Sequence, residues 1–420
     1  MKFRTAKGLA AVVMVGSFVA AMLPSVASAG TSAVKPDVSA TTFTTSFSTM
    51  KSLKGLVAES NKSKTPKVAF IVPDTTTSAR YDDFDIPFMK DAFKAAGFPA
   101  KDLIIQNGEG SDNVFYTDAV ADVANHAGVL IIDPEDSTVG AAVEAYAEAH
   151  GVKVIDYDRL TLGGERSYYV SFNGVTVGTQ QGNGLLACIT AWNVKNPHVL
   201  VMYGSPTDNN ATLFGEGYNA VLKAAGYSPG EGTAGSANTT NESVGTWTAS
   251  QALTDFEGEY TANPSINAVL TPNDENAGPI IAYLQGKGLP PDTIPFTGQD
   301  ATVQGFQNII SGYQCGTVYK PIFEEASAAA ALAIFIRAHV KPPHALVNSS
   351  TVDSGQSISK FANVPSVLLT STWVTTANIE STVIAQKFLS ASLICTSQSP
   401  TVTGLTLPTY AADCTKYGIH

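Results

Sequence analysis

Beyond its first two dozen residues the chain has no apolar run approaching the roughly 20 residues that a membrane-spanning helix needs, which argues against an integral membrane protein. Cations are also few. Lys and Arg number 25 against 36 Asp and Glu, for a formal net charge of -11, so neither nucleic acid nor an anionic membrane is an expected partner. Cysteine is limited to Cys188, Cys315, Cys395 and Cys414, none in a CxxC or other close pair, which excludes the usual zinc and dithiol redox arrangements. The six histidines fall near element edges or the C-terminus, and no HExxH, GxSxG or GxxxxGKS motif occurs. A hydrolase or metal enzyme needs a nucleophile with a base, or three to four clustered ligands. We therefore expect no enzyme, no catalytic residue, no metal and no cofactor.

What is present begins with Lys2, Arg4 and Lys7, an apolar run from Leu9 to Leu23, and then Ala27-Ser28-Ala29. This is the pattern of a cleaved secretory leader over 1–29. Its loss would take the charge to -14, and Gly30 stands where a lipid anchor would need cysteine, so a freely diffusing periplasmic or secreted protein is expected. An even number of cysteines in an oxidising compartment predicts two disulfides. Cys395 and Cys414 share a Pro/Thr/Ser-rich tail, 393–420, that lacks helix or strand periodicity. Pairing there is favoured, which leaves Cys188 with Cys315.

Residues 30–65 show no clear apolar period and are expected to form an extension or a single short helix. From Lys67, apolar runs of strand length alternate with helical patterns: Val68–Ile71, Leu103–Ile105, Val129–Ile132 and Val152–Ile155. After Tyr168–Phe172 the alternation restarts with Val199–Tyr203, Ala268–Leu270, Ile294–Thr297 and Thr317–Tyr319. Such βα alternation predicts parallel sheets flanked by helices, and a chain of this length predicts two lobes rather than one core.

Polar residues cluster just after these runs: Asp74 with Arg80, Asp133 with Glu135, Asp158 with Arg159, Asp208-Asn209-Asn210, Asn273-Asp274, Gln299-Asp300 and Lys320. Any one of them is an ordinary candidate for a helix cap or turn, Asp300 and Asn273 most of all. The same placement in both halves points elsewhere, because open α/β sheets bind ligands outside the carboxyl ends of their strands.

Val154-Ile155-Asp156-Tyr157-Asp158-Arg159, Ser171-Phe172-Asn173 with Val177-Gly178, and Gly204-Ser205-Pro206-Thr207-Asp208-Asn209-Asn210-Ala211 resemble the periplasmic D-xylose-binding proteins. Asn273-Asp274, Gly298-Gln299-Asp300-Ala301 and Thr317-Val318-Tyr319-Lys320-Pro321 follow in the same order at nearly the same spacing, and the similarity runs from about Lys67 to Phe388. The resemblance implies a type I periplasmic-binding-protein fold, two Rossmann-like lobes joined by a three-strand hinge. On that reading the N-terminal lobe takes 66–172 plus 320–346 and the C-terminal lobe 173–319 plus 347–392, with hinges near Phe172-Asn173, Val318-Tyr319 and Ala345-Val347. It implies contacts to a monosaccharide, D-xylose first, from Arg80, Asp158, Arg159, Asn210, Trp247, Asn273, Asp300 and Lys320. Tyr81 stands where the relatives carry Trp beside that first arginine. The implied partners are an ABC permease with its ATPase, or, on a second reading, a chemoreceptor or kinase ectodomain. A monomer is expected.

These residue types suit a sugar. Carboxylates accept from neighbouring hydroxyls, Arg and Lys donate to their lone pairs, and aromatic faces cover the C–H patches of the ring.

Overall fold

The computed structural model describes residues 36–75, 78–229, 239–242, 245–396 and 410–420; the expected leader lies outside these. The first lobe is built on a seven-stranded sheet. Its strands are β1 (Lys67–Val72), β2 (Leu103–Asn107), β3 (Ala127–Ile132), β4 (Lys153–Tyr157), β5 (Tyr168–Phe172), and the late β11 (Ser349–Val352) and β12 (Asn363–Leu369). Their order is β11-β12-β5-β4-β3-β1-β2, parallel except where β11 meets β12. The second lobe holds β6 (His198–Val201), β7 (Ser228–Pro229), β8 (Thr239–Glu242) and β9 (Ala268–Leu270) in the parallel order β7-β8-β6-β9. Parallel bridges at Val269–Phe296 and Gln299–Val318 carry this sheet towards an antiparallel pair, β10 (Thr317–Tyr319) with β13 (Thr372–Val374).

Helices follow the strands. α1 (Lys54–Ser60), α2 (Ile86–Ala95), α3 (Asp112–Ala124) and α4 (Ser137–Ala149) belong to the first lobe. α5 (Gly174–Ala191), α6 (Asn209–Ala224), α7 (Ala249–Ala262), α8 (Asp274–Gly286) and α9 (Val303–Ile310) belong to the second. α10 (Ile322–Arg337) returns to the first lobe and is buried on nearly every side, as a helix that is apolar all round from Ala328 to Ile336 must be. Its run of alanines lets it lie close against β3, β4 and β5. α11 (Ala391–Cys395) and α12 (Ala411–Tyr417) close the chain. Glycines bring α5 and α6 together: a methyl group at Gly178 would overlap the Phe214 carbonyl, and one at Gly217 the Val175 carbonyl. That contact fixes the N-terminus of α6, which carries part of the site.

Three expectations need correction. Residues 36–65 form no separate extension, and of the two readings the short helix holds, as α1: Val38, Phe43, Met50, Leu53 and Val57 are buried in the first lobe, and α1 packs on α10. Residues 349–369 belong to the first sheet, not to a second lobe starting at 347, so the third strand crossing falls between Leu369 and Thr372, not at Ala345–Val347. β11 is an edge strand of alternating exposure, and β12 carries Pro365 and Ser366, so neither reads as a buried apolar run. The tail is also structured where it is described. α11 and α12 pack on α9 and are joined by Cys395–Cys414, with Cα atoms 5.9 Å apart. The second disulfide, Cys188–Cys315 with Cα atoms 6.0 Å apart, ties α5 to the segment just before β10.

Candidate functional site

The strand ends of the two lobes meet around one cavity of about 370 Å³, its open mouth included, with side chains from both lobes on its walls. Asp158 and Arg159 follow β4. Asp158 takes a left-handed backbone (φ 57°), and its carbonyl accepts hydrogen bonds from the Tyr169 hydroxyl (3.0 Å) and from the Asn210 amide across the cleft (3.1 Å). Asp300 reaches the same place from the other lobe, also left-handed (φ 85°), with its N–H donating to Val318 O at 3.0 Å. Lys320 follows β10 directly and is 2% exposed. Arg80 and Tyr81 open a π-helical turn, Tyr81–Asp85, that leads into α2, and such turns recur at functional sites.

Four of these groups form a ring of alternating charge. Arg80 Nη1 lies 3.3 Å from Asp158 Oδ1 and 3.6 Å from Asp300 Oδ1. Lys320 Nζ lies 3.5 Å and 3.1 Å from the same two oxygens. All four residues are buried, so each charge would be costly without its neighbours. Burial alone would raise the Asp158 pKa, but Arg80, Lys320 and Arg159 pull it down to about 2. Burial and the nearby Arg80 oppose the Lys320 ammonium, yet Asp158, Asp300 and Glu325 hold its pKa above the ordinary lysine value.

Behind the ring, Asp85 grips Arg80 with both oxygens, accepting from Nε at 2.9 Å and Nη2 at 2.8 Å, and also accepts from the Tyr157 hydroxyl at 2.6 Å. Glu325 accepts from Arg80 Nη2 at 3.3 Å; burial, with Asp158 nearby, pushes its pKa well above the carboxylate range. Arg159 is fixed likewise. Its Nε lies 3.1 Å from Asp208 and 3.4 Å from Asp133, Nη1 donates to the Pro134 carbonyl at 3.0 Å, and Nη2 donates to the Tyr81 hydroxyl at 3.4 Å.

The aromatic wall is Tyr81, Trp247 and Phe214, the last two edge to face with centroids 6.5 Å apart. Trp247 lies across Gly204, where a methyl group would overlap its ring.

All of the anticipated side chains line this cavity: Arg80, Tyr81, Asp158, Arg159, Asn210, Trp247, Asn273, Asp300 and Lys320. The cap alternative divides. Asn273 does cap α8, accepting from the Asn276 N–H at 3.0 Å, while also facing the cavity. Asp300 is not a cap; Thr302 caps α9, accepting from the Gly305 N–H at 2.9 Å. Beneath that turn the buried Asp274 accepts from Thr302 N–H (2.9 Å) and Gln314 Nε2 (2.7 Å), and burial lifts its pKa to about 7. Ser78, Asp208, Phe214 and Gln299 line the cavity as well and were not anticipated as contacts. Asp208 and Gln299 carry the same strand-end signal as their neighbours. Phe214 lies four residues beyond Asn210, hence on the same face of α6.

Two α/β lobes whose strand ends converge on a buried, hydrogen-bonding cavity make a solute-binding protein of the type I periplasmic-binding-protein fold. The periplasmic binding protein domain matches residues 68–337, and the chain belongs to that family, one of binding proteins and not of enzymes. It is 31% identical to the D-xylose-binding periplasmic protein of Haemophilus influenzae over 79% of this chain and 92% of that one. It is 32% identical to the protein of the same name from Escherichia coli over 77% and 91%. A carbohydrate transporter solute-binding protein from Chloroflexus aurantiacus, solved with D-glucose, superposes with a TM-score of 0.66 at 25% identity, covering 78% of this chain and 97% of that one.

Proposed function

We propose that the chain captures a neutral monosaccharide, D-xylose first, between its lobes outside the cytoplasm and hands it to the permease of an ABC importer. The observation that carries this reading is the ring of Arg80, Asp158, Lys320 and Asp300, drawn from both lobes and bordered by Tyr81 and Trp247. Donors and acceptors alternate around it, as vicinal hydroxyls require, and its paired charges suit an uncharged ligand. The D-xylose relatives at 31% and 32% identity support the pentose, and the leader pattern supports export. Arg80, Tyr81, Asp158, Arg159, Asn210, Trp247, Asn273, Asp300 and Lys320 are the proposed contacts. Calorimetric titration with D-xylose, L-arabinose, D-ribose, D-glucose and D-galactose tests the reading. D-Xylose should bind tightest; a tighter hexose would reassign the sugar, and no binding of any of the five would end the sugar reading.

A further inference from the structure

Asp208 lies outside the contacts that the resemblance implies, yet its carboxylate serves three groups at once. Oδ1 accepts the Asn210 N–H at 2.8 Å and so caps α6. Oδ2 accepts the Trp247 indole N–H at 3.0 Å and pairs with Arg159 Nε at 3.1 Å. Asp208 and Trp247 belong to the second lobe, whereas Arg159 follows β4 in the first. Arg159 in turn donates to the Tyr81 hydroxyl at 3.4 Å. A continuous polar path therefore runs from the aromatic side chain of one lobe, through Arg159 and Asp208, to that of the other.

The Trp247 ring packs against the core beside it, and its indole N–H is directed to Asp208. One face rests on Gly204, Phe214 meets it at 73°, and the residue is half-buried. Asp208 holds the direction of its N–H and, together with the packing at Gly204 and Phe214, the plane it offers a ligand. Arg159 can reach that carboxylate only when the lobes are together, so closure and the setting of the indole share one group.

We propose that Asp208 is a positioning residue that couples lobe closure to the orientation of Trp247. This rests on the reading of the cleft as a sugar site. The ring is held in its ligand-facing plane most firmly in the closed protein, where Arg159 fixes the carboxylate from the other side.

Asp208→Asn separates this role from helix capping, because Asn caps as well as Asp. The substitution keeps the α6 cap while removing the charge that Arg159 faces. D-Xylose affinity should fall about 10- to 100-fold, while the sugar-free variant melts as the wild type does. In nitrogen–proton correlation spectra the indole N–H of Trp247, assigned by its disappearance in Trp247→Phe, should shift when wild type is saturated with D-xylose and shift far less in Asp208→Asn. Wild-type binding with unchanged affinity and indole shift in the variant would overturn the coupling and leave the sugar reading standing. A weakened affinity accompanied by a lower melting temperature and a wild-type indole shift would also overturn it, since the residue would then be structural. Failure of the wild type to bind any sugar would remove both.

Discussion

Asp300→Asn is the sharpest probe of the charged ring. Asn tolerates the left-handed backbone that Asp300 adopts (φ 85°), so shape is retained while the carboxylate charge is lost. That charge faces Lys320 at 3.1 Å and Arg80 at 3.6 Å, but among the described residues neither cation is directed at its buried Oδ1 as a hydrogen-bond donor, which leaves that oxygen able to accept. A hydrogen bond from a ligand hydroxyl to such a group is worth about 1.5 to 3 kcal/mol, so D-xylose affinity should drop roughly 10- to 100-fold. The sugar-free protein should lose little stability, because Asp158 still faces both cations, at 3.3 and 3.5 Å, and because Thr302 caps α9. Thr302→Ala should do the reverse, lowering stability by about 1 kcal/mol and leaving affinity near wild type. Calorimetric titration and thermal unfolding on both variants give the four numbers needed. A destabilised Asp300→Asn that binds sugar as wild type does would refute the reasoning and make Asp300 a structural residue.

Two further outcomes are expected. Alkylation of the unreduced protein should modify no cysteine, and Cys395→Ser with Cys414→Ser, opening a loop of sequence separation 19, should cost about 3 kcal/mol at most, read by denaturant unfolding; two or more modified cysteines would contradict the pairing. Asp274 binds its proton up to about pH 7 in the fold but only to about pH 4 when unfolded, so its contribution favours the fold at low pH and declines as pH rises from about 4 through 7. Asp274→Asn should flatten that part of the stability profile in urea melts at pH 5 and 7.5, and an unaltered slope would place the titration elsewhere.

Much of the site was legible because parallel strands are plain apolar runs, against which Asp158, Arg159, Asn273, Asp300 and Lys320 stand out as soon as the runs end. Arg80 lies eight residues beyond β1 and was tied to the others by the resemblance, not by the strand pattern alone. Asp85 and Glu325 gave no signal: each sits within or at the start of a helix, where a carboxylate usually faces water, and only tertiary packing reveals them against Arg80. The same limit hid β11 and β12, whose alternating or Pro-containing sequences carry no buried-strand pattern. Residues 36–65 lack a clean period because their apolar side chains are buried from irregular backbone as well as from a short helix.

The left-handed backbone at Asp158 and Asp300 bears on how such a pocket can diverge. Asp and Asn enter that conformation readily, whereas β-branched and bulky residues rarely do, so the two acidic positions admit few replacements whatever ligand is at hand. Tyr81, Phe214 and Trp247 are under no such restriction, since none of them has a positive φ. Replacements at the aromatic wall should therefore meet less backbone resistance than replacements at the acidic pair.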